Sequence, residues 1–194
     1  MVNVKYTPSP IQMCFFSAML LILTLIVSYI IKKPDVVSLS SIIEINDNNA
    51  RIFIFRHGER CDRSDNQCIS EADGITLVGA EQARNKGEVF SSSVSDYAVY
   101  STNTTRTIQT AKYFSGKTVT VLPELSVCDE SIFDTFKKIS VKNKNTVIFT
   151  HNHCINFIAR YMKGWKFKPG YLDGLVMTEE KGDFILDGQL AMGK

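Results

Sequence analysis

The chain carries almost no net charge: 22 lysines and arginines face 20 acids over 194 residues, leaving a formal +2. No single-sign field covers it, so capture of nucleic acid by a basic surface is not expected and any anion site has to be local. Histidine is scarce, three in all, and there is no internal repeat or low-complexity tract. Paired cysteines of C-x-x-C spacing are missing too, which argues against a structural zinc site. With 44% apolar residues the chain can build one globular core, and it is too short for two comfortable ones.

One hydrophobic run stands apart. The stretch "IQMCFFSAMLLILTLIVSYII", Ile11 to Ile31, is uncharged, and its 21 residues at helical rise reach about 31 Å, enough to cross a bilayer. Its exit, "IIKKPD", shows no small-residue site of the A-x-A kind at which a signal peptide is cut. The expectation is that residues 1–33 form a hydrophobic segment kept as an uncleaved membrane anchor, with cleavage and release as the alternative. Lys5 and the terminal amine balance Lys32 and Lys33, so the charge rule assigns no orientation. Apart from Cys14 in the run, Cys61, Cys68, Cys128 and Cys154 form an even set that suits a disulfide-permitting compartment, which places the globular part outside the cytoplasm. Four cysteines allow three pairings. A Cys61–Cys68 bridge would close an eight-residue loop, worth about 2.5 kcal/mol by chain entropy, and with it goes Cys128–Cys154; four free thiols are the alternative.

Residues 34–49, "PDVVSLSSIIEINDNN", read as a tether, and residues 50–194 as the domain. There short β-branched runs alternate with helical stretches: "RIFIF", "DYAVYS", "TVTVL" and "NTVIFT" as strands, "TLVGAEQARNKGEVF" as a helix capped by Thr76, then "TTRTIQTAKYF", "DESIFDTFKKI" and "CINFIARYM" as helices. "GLVMTEEKGDFIL" reads as a closing hairpin turning at Lys181 and Gly182. The fold class is α/β, a mostly parallel sheet with helices on both faces, preceded by one N-terminal hydrophobic helix.

All three histidines follow predicted strands: His57 after "RIFIF", His151 and His153 after "NTVIFT". Right-handed crossovers bring such strand ends to one edge, where ligands bind. Arg56, His57 and Arg60 then make an anion site, because guanidinium forks match phosphoryl oxygens and neighbouring positive charge keeps an imidazole neutral and nucleophilic. Arg106, in the first turn of the helix after "DYAVYS", points to the same edge; an ordinary exposed arginine is the alternative. "HNHC" offers zinc ligands, a reading that would leave the arginines unexplained.

"RHGE" after a strand, "STNTTRTIQTA" opening a helix and "VIFTH" ending a later strand resemble the histidine phosphatase superfamily, also called phosphoglycerate mutase-like, over about residues 50–160. The resemblance implies a transiently phosphorylated His57, a phosphate held by Arg56, Arg106 and His151, and no metal or other cofactor. "RHGERCDRSDNQC", "IFTHNHC" and "YLDGLVM" further resemble the Ais family of lipopolysaccharide core heptose(II)-phosphate phosphatases. That likeness implies a periplasmic enzyme, anchored in the inner membrane or released, acting on a phosphosugar of the lipopolysaccharide core. A non-catalytic envelope phosphosugar-binding module and a phosphohistidine-protein phosphatase are the competing readings. Many superfamily members carry a glutamate that protonates the leaving oxygen; Glu130, at a helix start, is the first candidate here, with a plain helix-start acid favoured by the dipole as its alternative, Glu59 the second, and a donor-free route the third. His153 is expected to pack or hydrogen-bond behind His151, with an exchange of roles between the two as the alternative. In "KGWKFKPGYLDG", a short segment that could act as a lid, Lys163, Lys166 and Lys168 flank Trp165 and Phe167 and are read as a loop meeting an anionic, membrane-borne substrate, with plain solvation as the alternative.

Overall fold

The computed structural model describes residues 9–30, 33–44, 49–94, 96–140 and 144–191. Lys5 and Lys32, which entered the orientation argument, lie outside the described residues, as do positions 45–48 of the expected tether. Contacts divide the chain into residues 1–33 and 34–194. The first unit holds one helix, α1 (Pro10–Ile30). Its window Pro10–Ser28 has a mean hydropathy of 2.3 with none of it buried, long and apolar enough to cross a membrane.

The second unit is built on a seven-stranded sheet. Its central strands are β2 (Arg51–Arg56) and β5 (Asn145–Thr150), flanked by β3 (Tyr97–Ser101) and β4 (Thr120–Val121) on one side and by β6 (Gly174–Glu180), β7 (Asp183–Ala191) and β1 (Val36–Ser38) on the other. Pairings β2–β5, β5–β3, β3–β4 and β1–β7 are parallel, while β6 runs against both its neighbours. Successive side chains of β2 serve opposite faces. Phe53 and Phe55 join a cluster with Phe90, Phe114 and Phe149, under α3 (Leu77–Ser93) and α4 (Thr105–Ser115). Ile52 and Ile54 join Phe136, Ile155 and Ile158, under α5 (Ile132–Ile139) and α6 (Asn152–Lys163). A strand covered on both faces must be apolar throughout, which is why "RIFIF" does not alternate.

Thr76 caps α3 by accepting a hydrogen bond from Gly79 N at 2.9 Å. In the β6–β7 hairpin, Lys181 and Gly182 have φ of 54° and 89°, the two positive values of a type I′ turn, whose twist matches its strands.

The structure differs from the sequence reading over residues 34–44 of the expected tether. Val36–Ser38 pair with Gln189–Ala191 of β7, and Leu39 and Ile42 on α2 (Leu39–Glu44) are buried in the aromatic-rich cluster. Two aliphatics a helical turn apart find a sheet edge to cover, so this stretch is part of the domain rather than a free tether.

Candidate active site

β2 and β5 are parallel neighbours, with Arg56 opposite Thr150. The next residue on each strand is therefore His57 and His151, and His57 N donates to Thr150 O at 3.1 Å to continue the ladder. Their rings lie 5.6 Å apart. His57 is 2% exposed and His151 6%. The loop after His57 packs tightly against the start of α3: a Cβ on Gly79 would lie 2.8 Å from Glu59 N, and Gly58 N donates to Thr110 Oγ1 at 2.9 Å.

Burial, reinforced by the positive fields of His151, Arg106 and Arg56, lowers the pKa of His57 to about 3, against a hydrogen bond with the Gly58 carbonyl that works in the other direction. Burial, then Arg106 and His153, lowers that of His151 to about 4. Both imidazoles are neutral at neutral pH. His57 Nδ1 lies 2.8 Å from Gly58 O; a carbonyl only accepts, so Nδ1 carries the proton and Nε2 presents its lone pair. His151 Nε2 lies 3.3 Å from Thr102 Oγ1, itself 2.7 Å from Thr107 Oγ1, and these hydroxyls tie the end of β3 to α4. His151 is also the N-cap of α6, where unpaired backbone N–H groups favour negative charge.

The arginines are placed unequally. Arg56 Nη1 donates to Pro169 O at 2.8 Å and its guanidinium lies over the Tyr171 ring. Arg106, in the first turn of α4, is ion-paired with Asp73. In each of these two the buried Nε has no hydrogen-bond partner among the described residues. A buried donor left so costs about 1–3 kcal/mol, which an oxyanion would recover. Arg60 is different: both arms of its fork are taken by Asp62, and it stands near the rim, contributing field to His151.

The two candidate acids differ in their surroundings. Glu59 accepts from Thr76 Oγ1 at 2.6 Å and Asn66 Nδ2 at 2.9 Å, bonds that lower its pKa and hold it ionised. Glu130 is exposed and lines a groove with Phe133, Asp134, Lys137, Tyr161, Asp183 and Phe184, none of which belongs to the histidine cluster. Its place just before α5 is that of a helix-start acid favoured by the dipole.

His153 is exposed and stacks on His151 at 5.4 Å. With Cys128 and Cys154 it forms a compact group, but the structure joins those two cysteines to each other, and Cys61 to Cys68, with Cα separations of 4.7 and 5.3 Å. Neither sulfur of the group is left as a thiolate for a metal. Trp165 and Phe167 are buried, and Lys166 and Lys168 between and after them are exposed. The extended segment alternates, aromatics inward and lysines outward, so the aromatic half of a membrane-facing loop is absent. Asp73 and Tyr171 carry no sequence signal of their own: "YLDG" belongs to a resemblance and to the short lid candidate, and nothing in its spacing marks a ring that will face a histidine.

The family model of the histidine phosphatase superfamily (branch 1) matches residues 52–130. The lipopolysaccharide core heptose(II)-phosphate phosphatase of Salmonella schwarzengrund strain CVM19633 is 48% identical over 145 residues, covering 73% of this chain and 72% of that one. The protein of the same name from Escherichia coli O139:H28 is 50% identical over 141 residues, 71% and 70% of the two chains. Among solved structures, the protein histidine phosphatase SixA complexed with tungstate superimposes with a TM-score of 0.58 at 17% identity, over 73% of this chain and 97% of that one. Phosphoglycerate mutase from Bacillus anthracis str. Sterne gives 0.55 at 14%, over 75% and 94%. At such identities the solved structures speak for the fold alone. The relatives that share about half their residues with it, together with the family match at "RHGE", make this chain a member of the histidine phosphatase superfamily.

Proposed function

We propose that the chain hydrolyses a phosphomonoester through a phosphohistidine on His57, and that its substrate is the phosphorylated heptose of the lipopolysaccharide core named for its relatives. One observation carries the reading: two buried, neutral imidazoles at adjacent strand ends, flanked by two arginines whose buried Nε donors await an acceptor. Phosphoryl oxygens on Arg56, Arg106 and His151 would bring phosphorus before His57 Nε2. The N–P bond forms as the P–O bond to the sugar breaks, and charge spread over the equatorial oxygens is met by fixed cations. The departing oxygen takes a proton, and water then attacks the phosphohistidine, releasing phosphate and restoring neutral His57. With Glu59 held ionised by Thr76 and Asn66, and Glu130 exposed in the groove at α5, the step runs by the donor-free route, with solvent protonating the sugar oxygen.

The periplasm is the proposed compartment, with α1 holding the domain to the inner membrane. An apolar helix of sufficient length and cysteines joined in pairs support this. Held beside a membrane-borne substrate, the enzyme meets it at raised effective concentration. The test is mass spectrometry of core lipopolysaccharide from cells with and without the protein. A difference of one phosphate per core is expected, and identical spectra refute the substrate. Quench-flow trapping with labelled substrate tests the chemistry separately: label should appear on His57.

A further inference from the structure

Tyr171 lies outside the histidine and arginine motifs, and its ring is centred 5.9 Å from that of His57, tilted by 45°. Arg56 Cζ stands 4.2 Å from its centroid. The residue is half-buried.

The backbone around it is held on both sides. Leu172 N donates to Arg56 O at 3.2 Å, and Arg56 N to Asp173 O at 2.9 Å. Gly170 N donates to Asp173 Oδ2 at 2.7 Å. Between these ties Leu172 adopts φ 60°, a left-handed conformation that its Cβ disfavours, while its side chain is buried in the aromatic-rich cluster. A glycine would suit that backbone better; leucine clamps it to the core instead. The outcome of the strained turn is a fixed tyrosine at the mouth of the site.

The face of a phenol ring is negative and its attraction is for cations and polarised C–H groups. It suits the Arg56 guanidinium, and it repels a phosphoryl anion. What the ring can hold is the body to which the phosphate is attached, provided that body offers C–H groups over an area comparable to its own, as a pyranose does. We propose that Tyr171 is the platform on which the sugar ring of the substrate lies, a positioning and specificity residue of the same site. This rests on the phosphosugar reading above.

The experiment compares kcat and KM of the full chain, purified in detergent, for a heptopyranose monophosphate and for glycerol 3-phosphate, which has no ring. Tyr171→Leu keeps apolar bulk and loses the π face. It is expected to raise KM for the sugar phosphate about tenfold more than for glycerol 3-phosphate, with Tyr171→Phe within about twofold of the parent on both. Equal losses on both substrates in Tyr171→Leu would show that the ring only seats Arg56, and the platform is overturned. If the parent enzyme turns over glycerol 3-phosphate and not the sugar phosphate, the phosphosugar reading fails and takes the platform with it. Thermal melts of all three proteins separate either result from misfolding.

Discussion

At the carboxyl edge of the central strands, two imidazoles are taken out of water and two arginine side chains largely so. In the groove between α5, α6 and the start of β7, Glu130, Asp134, Lys137 and Asp183 stay exposed. The charged side chains of the groove remain hydrated and screened. At the edge burial changes what such groups are: the two histidines become neutral, and Arg56 and Arg106 hold Nε donors that nothing among the described residues satisfies. Chemistry follows desolvation of a few groups around one point, and the number of charges is a poor guide to it.

The comparison can be broken most severely at His57. Replacing it with alanine should lower phosphate release by at least about 10³-fold with the fold intact by circular dichroism, since the covalent route is removed. Near-parent turnover would mean that the edge is not where the reaction occurs. Arg106→Lys should cost roughly 3 kcal/mol of transition-state stabilisation, about a hundredfold in kcat, because a point charge cannot replace the planar fork; an unchanged kcat would return Arg106 to the surface. The acid limb of the rate profile sharpens the contrast further. An ordinary imidazole nucleophile would cost about 30-fold at pH 5. With His57 titrating near 3 and His151 near 4, kcat/KM should stay within about twofold down to pH 5 once the substrate's own second ionisation near pH 6 is allowed for. The same groups act on stability with a definite sign. Their folded values lie below the ordinary 6.5, so between those limits the unfolded chain binds more protons. Urea midpoints should fall as pH drops from 7 to 4, and a rise would contradict the burial of neutral imidazoles. The smallest effect belongs to the groove: Glu130→Gln should leave kcat within about twofold, and a large loss would bring that carboxylate back into the reaction.

Much of this was legible in the chain. The parallel core could be read because β2 and β5 are covered on both faces and so are apolar without alternation, and because Thr76 and the lysines ending α5 mark helix termini. The histidine and arginine set was legible because strand ends share an edge. What could not be read depends on distant contacts. β1 has three residues and pairs with β7 some 150 positions later, so nothing local separates it from a tether. The period-two burial of "WKFKPG" was present in the letters, but aromatics between lysines suggest a surface until the core beneath them is known. Glu130 shows that a helix start near the right strand fixes neither direction nor distance. Tyr171 depends on a left-handed leucine, which no propensity anticipates.

Arg56 opposite Thr150 joins segments 94 positions apart at the middle of the sheet. Turnover therefore doubles as a gauge of whether that central seam is closed. Fraying that starts at the outlying β1 edge can proceed in silence, whereas parting the seam extinguishes the signal at once.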